Sequence, residues 1–375
     1  MGVLQAAGLL GAALLAISGL VVGLAAATAA RKLVRQAGER RRATIEATVR
    51  PLLIRIMAEE AVDPAAFPSD RASRRTLEGL AREFMPTVGG PSRAALVELL
   101  ERRGAVTRAR ARTHRAGAVG RARAAEFLGW SGSAGALDDL VRLLGDQHPD
   151  VRPVAARALG RLGDPAAAAP LLGALDGRRA LPTGVVSMAL LRLGPAAVPA
   201  LRAGLAAGSA AVRSTSAELL GLLGADEAVD DLLAALGRDD FELRVKAARA
   251  LGRISSPRAA LALAGHLAPG TPDPLRAVVA MALGRIGAPE AVPALRAAVA
   301  DEHHRIAHNA AASLAQLGER GRDALRQLAE AGAAEGADAA AASAGGHAAE
   351  ALARAALADR TLPGQQRGVT LAGGA

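Results

Sequence analysis

His303, His304 and His308, with Asp301 and Glu302 beside them, form the densest group of ligand-type side chains in this 375-residue chain. His304 and His308 stand one helical turn apart, the spacing with which two imidazoles can begin a zinc site on one helix face. No further histidine is close in sequence to complete such a site, so the group reads as capping or lining side chains, and neither metal nor cofactor is expected. Cysteine is absent, which excludes thiol nucleophiles, disulfides and Cys-based zinc sites. Glycine is abundant, yet no Gly-Lys-Ser/Thr phosphate loop and no dinucleotide fingerprint occurs. No nucleophile, base and orienting group stand together, so no catalytic residue is nominated and the chain reads as a non-enzyme.

With chemistry of that kind set aside, the elements themselves carry the information. Half the residues are apolar, but there are only four Phe, one Trp and no Tyr, so the core must be built from Ala, Leu, Val and Ile. Side chains of that size suit closely packed helices. The net charge is +10. Between Arg31 and Arg115 stand nineteen basic and ten acidic residues, so all but +1 of the excess lies in that stretch and the rest of the chain is nearly neutral.

Val3 to Ala30 contains no charge, and about 20 apolar residues suffice to cross a hydrocarbon core of about 30 Å. Ala27-Thr28-Ala29 has the small-residue pattern of a cleavage site, but Met1 to Gln5 lacks the basic start of a signal peptide, so the segment reads as a retained transmembrane helix. Gly19 and Gly23 have the spacing that lets such helices approach closely. Arg31, Lys32, Arg35, Arg40, Arg41 and Arg42 follow at once, and basic clusters resist translocation. The expected topology is single-pass in the inner (cytoplasmic) membrane, with the N-terminus outside and the C-terminal domain in the cytoplasm. The same arginines are candidates for contact with anionic lipid.

A repeat dominates the remainder. An apolar-Gly-x-apolar-Gly ending recurs as Leu128 to Gly132, Leu159 to Gly163, Leu220 to Gly224 and Leu283 to Gly287, with variants at Leu190 to Gly194, Leu251 to Ser255 and Leu314 to Gly318. The closing positions 132, 163, 194, 224, 255, 287 and 318 lie 30 to 32 residues apart. In Val151 to Leu162 the apolar residues Val151, Val154, Ala155, Ala158, Leu159 and Leu162 share one helix face. A closing glycine supplies a left-handed cap, and a shorter helix such as Pro165 to Leu175 follows, with Pro tolerated in its first turn.

These hairpins resemble HEAT repeats, in the short form known from phycobilin lyases, with Val151-Arg152, Val212-Arg213, Leu243-Arg244 and Leu275-Arg276 matching the apolar-Arg signature. Thr183 and Ala307 stand where two further arginines belong. The resemblance implies an all-α fold, an α-solenoid of about seven helical hairpins, in which the second helix of each pair lines the concave face. The whole layout, membrane helix, Arg-rich neck and repeats, is similar to bacterial membrane-anchored HEAT proteins often encoded beside a membrane glycosyltransferase. HEAT-fold hydroxylases use paired His-Glu motifs, and no His-Glu dipeptide exists here.

The expected organisation is a transmembrane helix over 1–30, a basic helical neck and cap over 31–104, the solenoid over 105–328, and an Ala/Gly-rich, partly disordered tail over 329–375. Neck helices are predicted over Ala43 to Glu60, Arg71 to Met85 and Ser92 to Arg103, and one tail helix around His347 to Asp359. A second basic cluster, Arg102, Arg103, Arg108, Arg110, Arg112, Arg115, Arg121 and Arg123, has no acid within it. Stacked repeats would align two rows of side chains: Trp130, Arg161, Arg192, Leu222, Arg253, Arg285 and Gln316, and, one turn earlier, Glu126, Arg157, Met188, Glu218, Arg249, Met281 and Ala312. Glu126 with Arg157 and Glu218 with Arg249 are candidate ion pairs within the second row.

Trp130, Arg157, Arg161, Met188, Arg192, Arg249, Arg253, Met281 and Arg285 are the candidate partner-binding surface, since concave solenoid faces are extended and Met and Arg are enriched in interface cores. The function expected is a non-enzymatic, membrane-tethered scaffold that holds a partner protein at the cytoplasmic membrane surface. The resemblance implies that the partner is a membrane glycosyltransferase. A bilin-lyase-like enzyme and a nucleic-acid binder are the alternatives. A near-neutral array poor in aromatics argues against nucleic acid, which needs phosphate neutralisation or base stacking.

Overall fold

The computed structural model describes residues 2–60, 62–85, 87–115, 117–334 and 338–361, and every regular element among them is helical. The chain divides into two compact units, Met1–Ala136 and Leu137–Ala375.

The first unit opens with α1, Gly2–Met57, which carries the apolar segment and the basic neck as one continuous helix. At 1.5 Å per residue it is about 84 Å long. The neck helix expected to begin at Ala43 has no separate start, because Arg, Lys, Leu, Gln and Glu between Ala30 and Ala43 are all good helix formers. The expected membrane span over 1–30 is described here as backbone only through Val22, and beyond it Leu24 and Leu33 are exposed. Val49, Leu53 and Ile56 of α1 fall on one face and are buried against α2, Arg71–Phe84, and α3, Gly90–Arg102. Asp70 starts α2 by accepting the backbone N–H of Ala72 at 2.9 Å and of Ser73 at 3.3 Å. Helices α4, Ala105–Arg115, and α5, Ala118–Ser131, pack on each other and complete the unit.

The second unit alternates short and long helices. The long ones carry the repeated motif: α7 Val151–Leu162, α9 Thr183–Leu193, α11 Ala210–Leu223, α13 Phe241–Ile254, α15 Asp273–Ile286 and α17 His304–Gln316. The short ones are α6 Leu137–Leu144, α8 Ala168–Gly173, α10 Val198–Gly204, α12 Val229–Leu236, α14 Ala260–Gly265 and α16 Val292–Val299. From α8 on, a single 3-10 turn opens each short helix, such as Pro165–Ala167. There Asp164 accepts the Ala166 N–H at 2.9 Å and Pro165 occupies a position whose donor has no intrahelical partner.

Both glycines of the motif have a use. The closing one is left-handed, with φ of 77° at Gly163 and 65° at Gly224, and Ser255 adopts the same cap at φ 57° despite its Cβ. The inner one lets adjacent long helices touch backbone to backbone. A Cβ on Gly160 would lie 2.8 Å from the Cα of Ala189, one on Gly221 2.6 Å from that of Ala250, and one on Gly252 2.7 Å from that of Ala282. Gly284 meets Ser313 in the same manner. The long helices therefore stack tightly while the short ones lie further apart, and an array of this kind closes toward its tighter layer. At the equivalent positions between α9 and α11 stand Leu191 and Leu219, and there the two helices are more widely separated.

Thr183–Gly204 is apolar and long enough, by composition, to cross a membrane. Its backbone is not one helix: α9 ends at Leu193, Gly194 has φ 62°, and α10 begins at Val198. Each piece is shorter than about 20 Å, too short for a hydrocarbon core of about 30 Å.

After α17 the helical pattern continues further than expected. Helix α18, Gly318–Ala333, is followed by α19, Ala339–Thr361, which packs on both α18 and α17. Gly332 and Gly345 cross closely enough that a Cβ on either would meet backbone of the other at under 3 Å. Residues 362–375, part of the stretch expected to be disordered, lie outside the described residues.

Candidate partner-binding surface

Two kinds of arginine emerge from the geometry of the second unit. The first kind sits at repeat junctions. Arg213, of the apolar-Arg signature, donates to the Ala207 and Gly208 carbonyls at 3.0 and 2.8 Å and to the Asp240 carboxylate at 2.5 Å. Arg276, which is buried, reaches the Leu267 carbonyl at 3.0 Å, Asp273 at 3.4 Å and Asp301. Asp240 and Asp301 each begin or precede the next long helix, so the signature arginine ties a loop to the following repeat. Arg152 makes a weaker contact, with the Asp146 carbonyl at 3.4 Å. Elsewhere Arg202 of α10 pairs with Asp231 of α12 at 2.5 Å, and Arg258 with Asp226 at 3.1 Å.

The Arg213 guanidinium and the Leu243 N–H hold the Asp240 carboxyl below its ordinary range. Burial pushes the Asp301 carboxyl upward, but the His303 N–H and Arg276 outweigh it, so it too lies below the ordinary range.

The second kind of arginine lies on the long-helix row. The sequence-predicted residues Arg157, Met188, Arg192, Arg249, Arg253, Met281 and Arg285 are all exposed, and Arg161 is half-buried. Positions 157 and 161, 188 and 192, 249 and 253, and 281 and 285 are i, i+4 pairs, which places each pair on one face of α7, α9, α13 and α15. Among the described residues no hydrogen bond or ion pair reaches Arg157, Arg192, Arg249, Arg253 or Arg285. Met188 is 58 % exposed, Met281 46 %, and Leu222, from the same rows on α11, 49 %. Large apolar side chains and charged but unneutralised guanidinia thus alternate along one surface.

The row contains one acid in this unit, Glu218. The expected pair with Arg249 is not what forms: Glu218 accepts from Lys246 Nζ at 2.5 Å, because Lys246 projects from α13 one turn nearer to it. That hydrogen bond holds the Glu218 carboxyl low, with Arg253 and Arg249 adding a weaker pull through space. Neither arginine forms an ion pair with it.

Trp130 belongs to the first unit, where it is half-buried near the end of α5. In that unit several members of the second basic cluster are engaged, with groups both near and far in sequence. Arg108 pairs with Glu78 at 3.0 Å, Arg102 with Glu98 at 2.6 Å, and Arg103 donates to the Pro64 and Pro68 carbonyls. On α1, Arg31, Lys32, Arg35, Arg40, Arg41 and Arg42 are exposed, with Arg35 near Glu39 and Arg41 near Asp70.

His303 is engaged at a junction, 2.9 Å from Asp273 and 3.4 Å from Asp301. His304 and His308 stack at 5.8 Å, and the third imidazole that sequence did not place near them, His347, arrives from α19 at 4.8 Å from His304. Among the described residues no three His, Asp or Glu side chains converge as a metal ion would need.

The sequence profile of the HEAT repeats matches residues 105–190, 198–278 and 267–345, more than half of the chain. The chain belongs to the HEAT-repeat family. No curated protein sequence matches it. Among solved structures, an engineered protein is 19% identical with a TM-score of 0.37, over 81% of this chain and 88% of that one. The phycocyanin lyase complex of CpcE and CpcF from Nostoc sp. PCC7120 is 22% identical with a TM-score of 0.27, over 60% and 88%. Kap95p bound to RanGDP is 15% identical with a TM-score of 0.42, over 83% and 51%. The activities and partners named there are those proteins' own. HEAT solenoids of this form present a protein-interaction surface.

Proposed function

We propose that this HEAT protein is a scaffold that binds a partner protein along the long-helix row, with α1 holding it at the cytoplasmic face of the inner membrane. One observation carries the reading: among the described residues Arg157, Arg192, Arg249, Arg253 and Arg285 make no ion pair or hydrogen bond, while Met188, Leu222 and Met281 stand exposed among them. Like charges aligned on neighbouring helices repel, and exposed apolar side chains forgo burial, so both costs are offset only when something acidic and partly apolar lies there. Methionine adapts its shape to such a surface.

The membrane tether rests on the uncharged run from Val3 to Ala30 and the arginines after it. A membrane glycosyltransferase is the partner suggested by the similarity to membrane-anchored HEAT arrays. Nucleic acid fits the row less well. The row offers at most two guanidinia per helix and none on α11 or α17, with helices about 8–10 Å apart and apolar groups between them, whereas a duplex presents a phosphate about every 1.7 Å.

The test is photocrosslinking in membranes from positions 192 and 253, followed by mass spectrometry. Recovery of one protein with an acidic contact segment, lost when Arg249→Glu/Arg285→Glu is added, is expected. Recovery of no specific protein, or of nucleic acid, overturns the reading.

A further inference from the structure

We infer that the C-terminal end of the solenoid holds a small-molecule site, for a carboxylate that also carries a hydroxyl group, in a cavity between α17 and α19. This goes beyond the partner surface and does not depend on it. The cavity has a volume of about 320 Å³, within the range of sites that enclose a compact organic ligand. Its origin lies in the sequence. Ala315 occupies the position at which Gly160, Gly221, Gly252 and Gly284 let the next long helix close in, so α19 does not seat flush on α17. Alanines then line both sides, Ala312 and Ala315 from α17 and Ala351 from α19, and they are too short to fill the gap.

Apart from the amide of Gln316, the polar groups around it are imidazoles and guanidinia. His308, Arg322, His347 and Arg354 line the cavity, and no carboxylate does. His347 Nδ1 lies 2.9 Å from the Ser343 carbonyl, which can only accept, so Nδ1 carries a proton and in the neutral ring Nε2 is the acceptor. That Nε2 is buried and has no partner. A buried acceptor of this kind calls for a donor, which a hydroxyl provides. Arg354 Nη1 reaches His308 Nε2 at 3.3 Å, near the limit of a hydrogen bond, and its other branch is held by Glu350 at 2.5 Å. The guanidinium is thus pinned at the cavity with one branch weakly used, and a carboxylate is its natural planar partner. The alanine walls suit a short apolar body between the two polar ends.

The experiment uses the full chain in detergent, with 4-hydroxybenzoate and 3-hydroxybutyrate as probes, read by calorimetry and by shifts of the histidine ring resonances. Saturable binding of at least one probe is expected, with shifts centred on His347 and His308. Benzoate, which lacks the hydroxyl, binds at least fivefold more weakly than 4-hydroxybenzoate, and 4-hydroxybenzyl alcohol, which lacks the charge, does not bind. Arg354→Gln lowers affinity at least tenfold. Ala351→Leu, which fills the cavity without altering charge, abolishes binding while the protein still melts cooperatively. Absence of saturable binding by both probes overturns the inference, as does equal binding of benzoate or the alcohol. It is equally overturned if a melting-competent Ala351→Leu binds like wild type.

Discussion

A guanidinium can fasten one repeat to the next or remain available to something outside, and the arginines of the second unit divide by which side of the hairpin they occupy. Those at the junctions are spent: Arg276, buried and bonded to Leu267, Asp273 and Asp301, is the extreme case. Arg276→Ala leaves Asp301 without its counter-charge and should cost about 3 kcal/mol of unfolding free energy, measured by denaturant titration. The junction carboxylates also set an acid limit. Asp240 and Asp301 are held below the unfolded carboxylate value of about 3.9, so their contribution is complete above about pH 5 and disappears as pH falls through about 4 and below. Asp240→Asn should flatten the stability profile in that acid window and leave the slope near neutrality unchanged. The row arginines behave oppositely, because nothing in the fold uses them. Arg192→Glu with Arg253→Glu should leave the melting temperature within about 2 °C, surface changes usually falling within about 0.5 kcal/mol.

At the scale of the helix, glycine decides how far one element stands from the next. Gly221→Val would drive a branched side chain into the Ala250 backbone and should destabilise by about 2–3 kcal/mol. Gly79, inside α2 with open space where a Cβ would go, should respond in the other direction: Gly79→Ala stabilises by about 0.5–1 kcal/mol. Ser255→Gly should likewise stabilise by about 1 kcal/mol, because Ser255 holds a left-handed cap. Thermal or denaturant unfolding of the three variants side by side checks both signs.

The hairpins, their period and the exposed row were legible in sequence because each depends on local order: apolar residues at helical spacing, a cap at a fixed offset, a residue type recurring every thirty-one positions. The inner glycine of the motif was visible as a recurrence, but its role as the point of helix contact was not, since that depends on Ala189, Ala250 and Ala282 a repeat away. The same limit hid the pairing of Glu218 with Lys246 and the arrival of His347 beside His304. Continuity of α1 was missed for a different reason: a change of composition at Ala30 looks like a boundary, yet both sides favour helix.

For the molecule as a whole, the partner surface and the anchor make separable claims. Alkaline extraction of membranes should leave the protein in the pellet, and deletion of 1–30 should release it, fractionation by immunoblot being the readout. Binding of the partner to the row should weaken steeply between low and high ionic strength, since unneutralised surface charges are screened over about 10 Å at 0.1 M salt. Affinity that is insensitive to salt would assign recognition to Met188, Leu222 and Met281 alone.

The leucines at 191 and 219 have a mechanical meaning. Tight backbone joints resist bending as a unit, whereas the seam between α9 and α11 rests on longer side chains. Under tension or torsion that seam is the compliant one, and curvature would be adjusted there, four long helices turning against two, when the array accommodates whatever it carries.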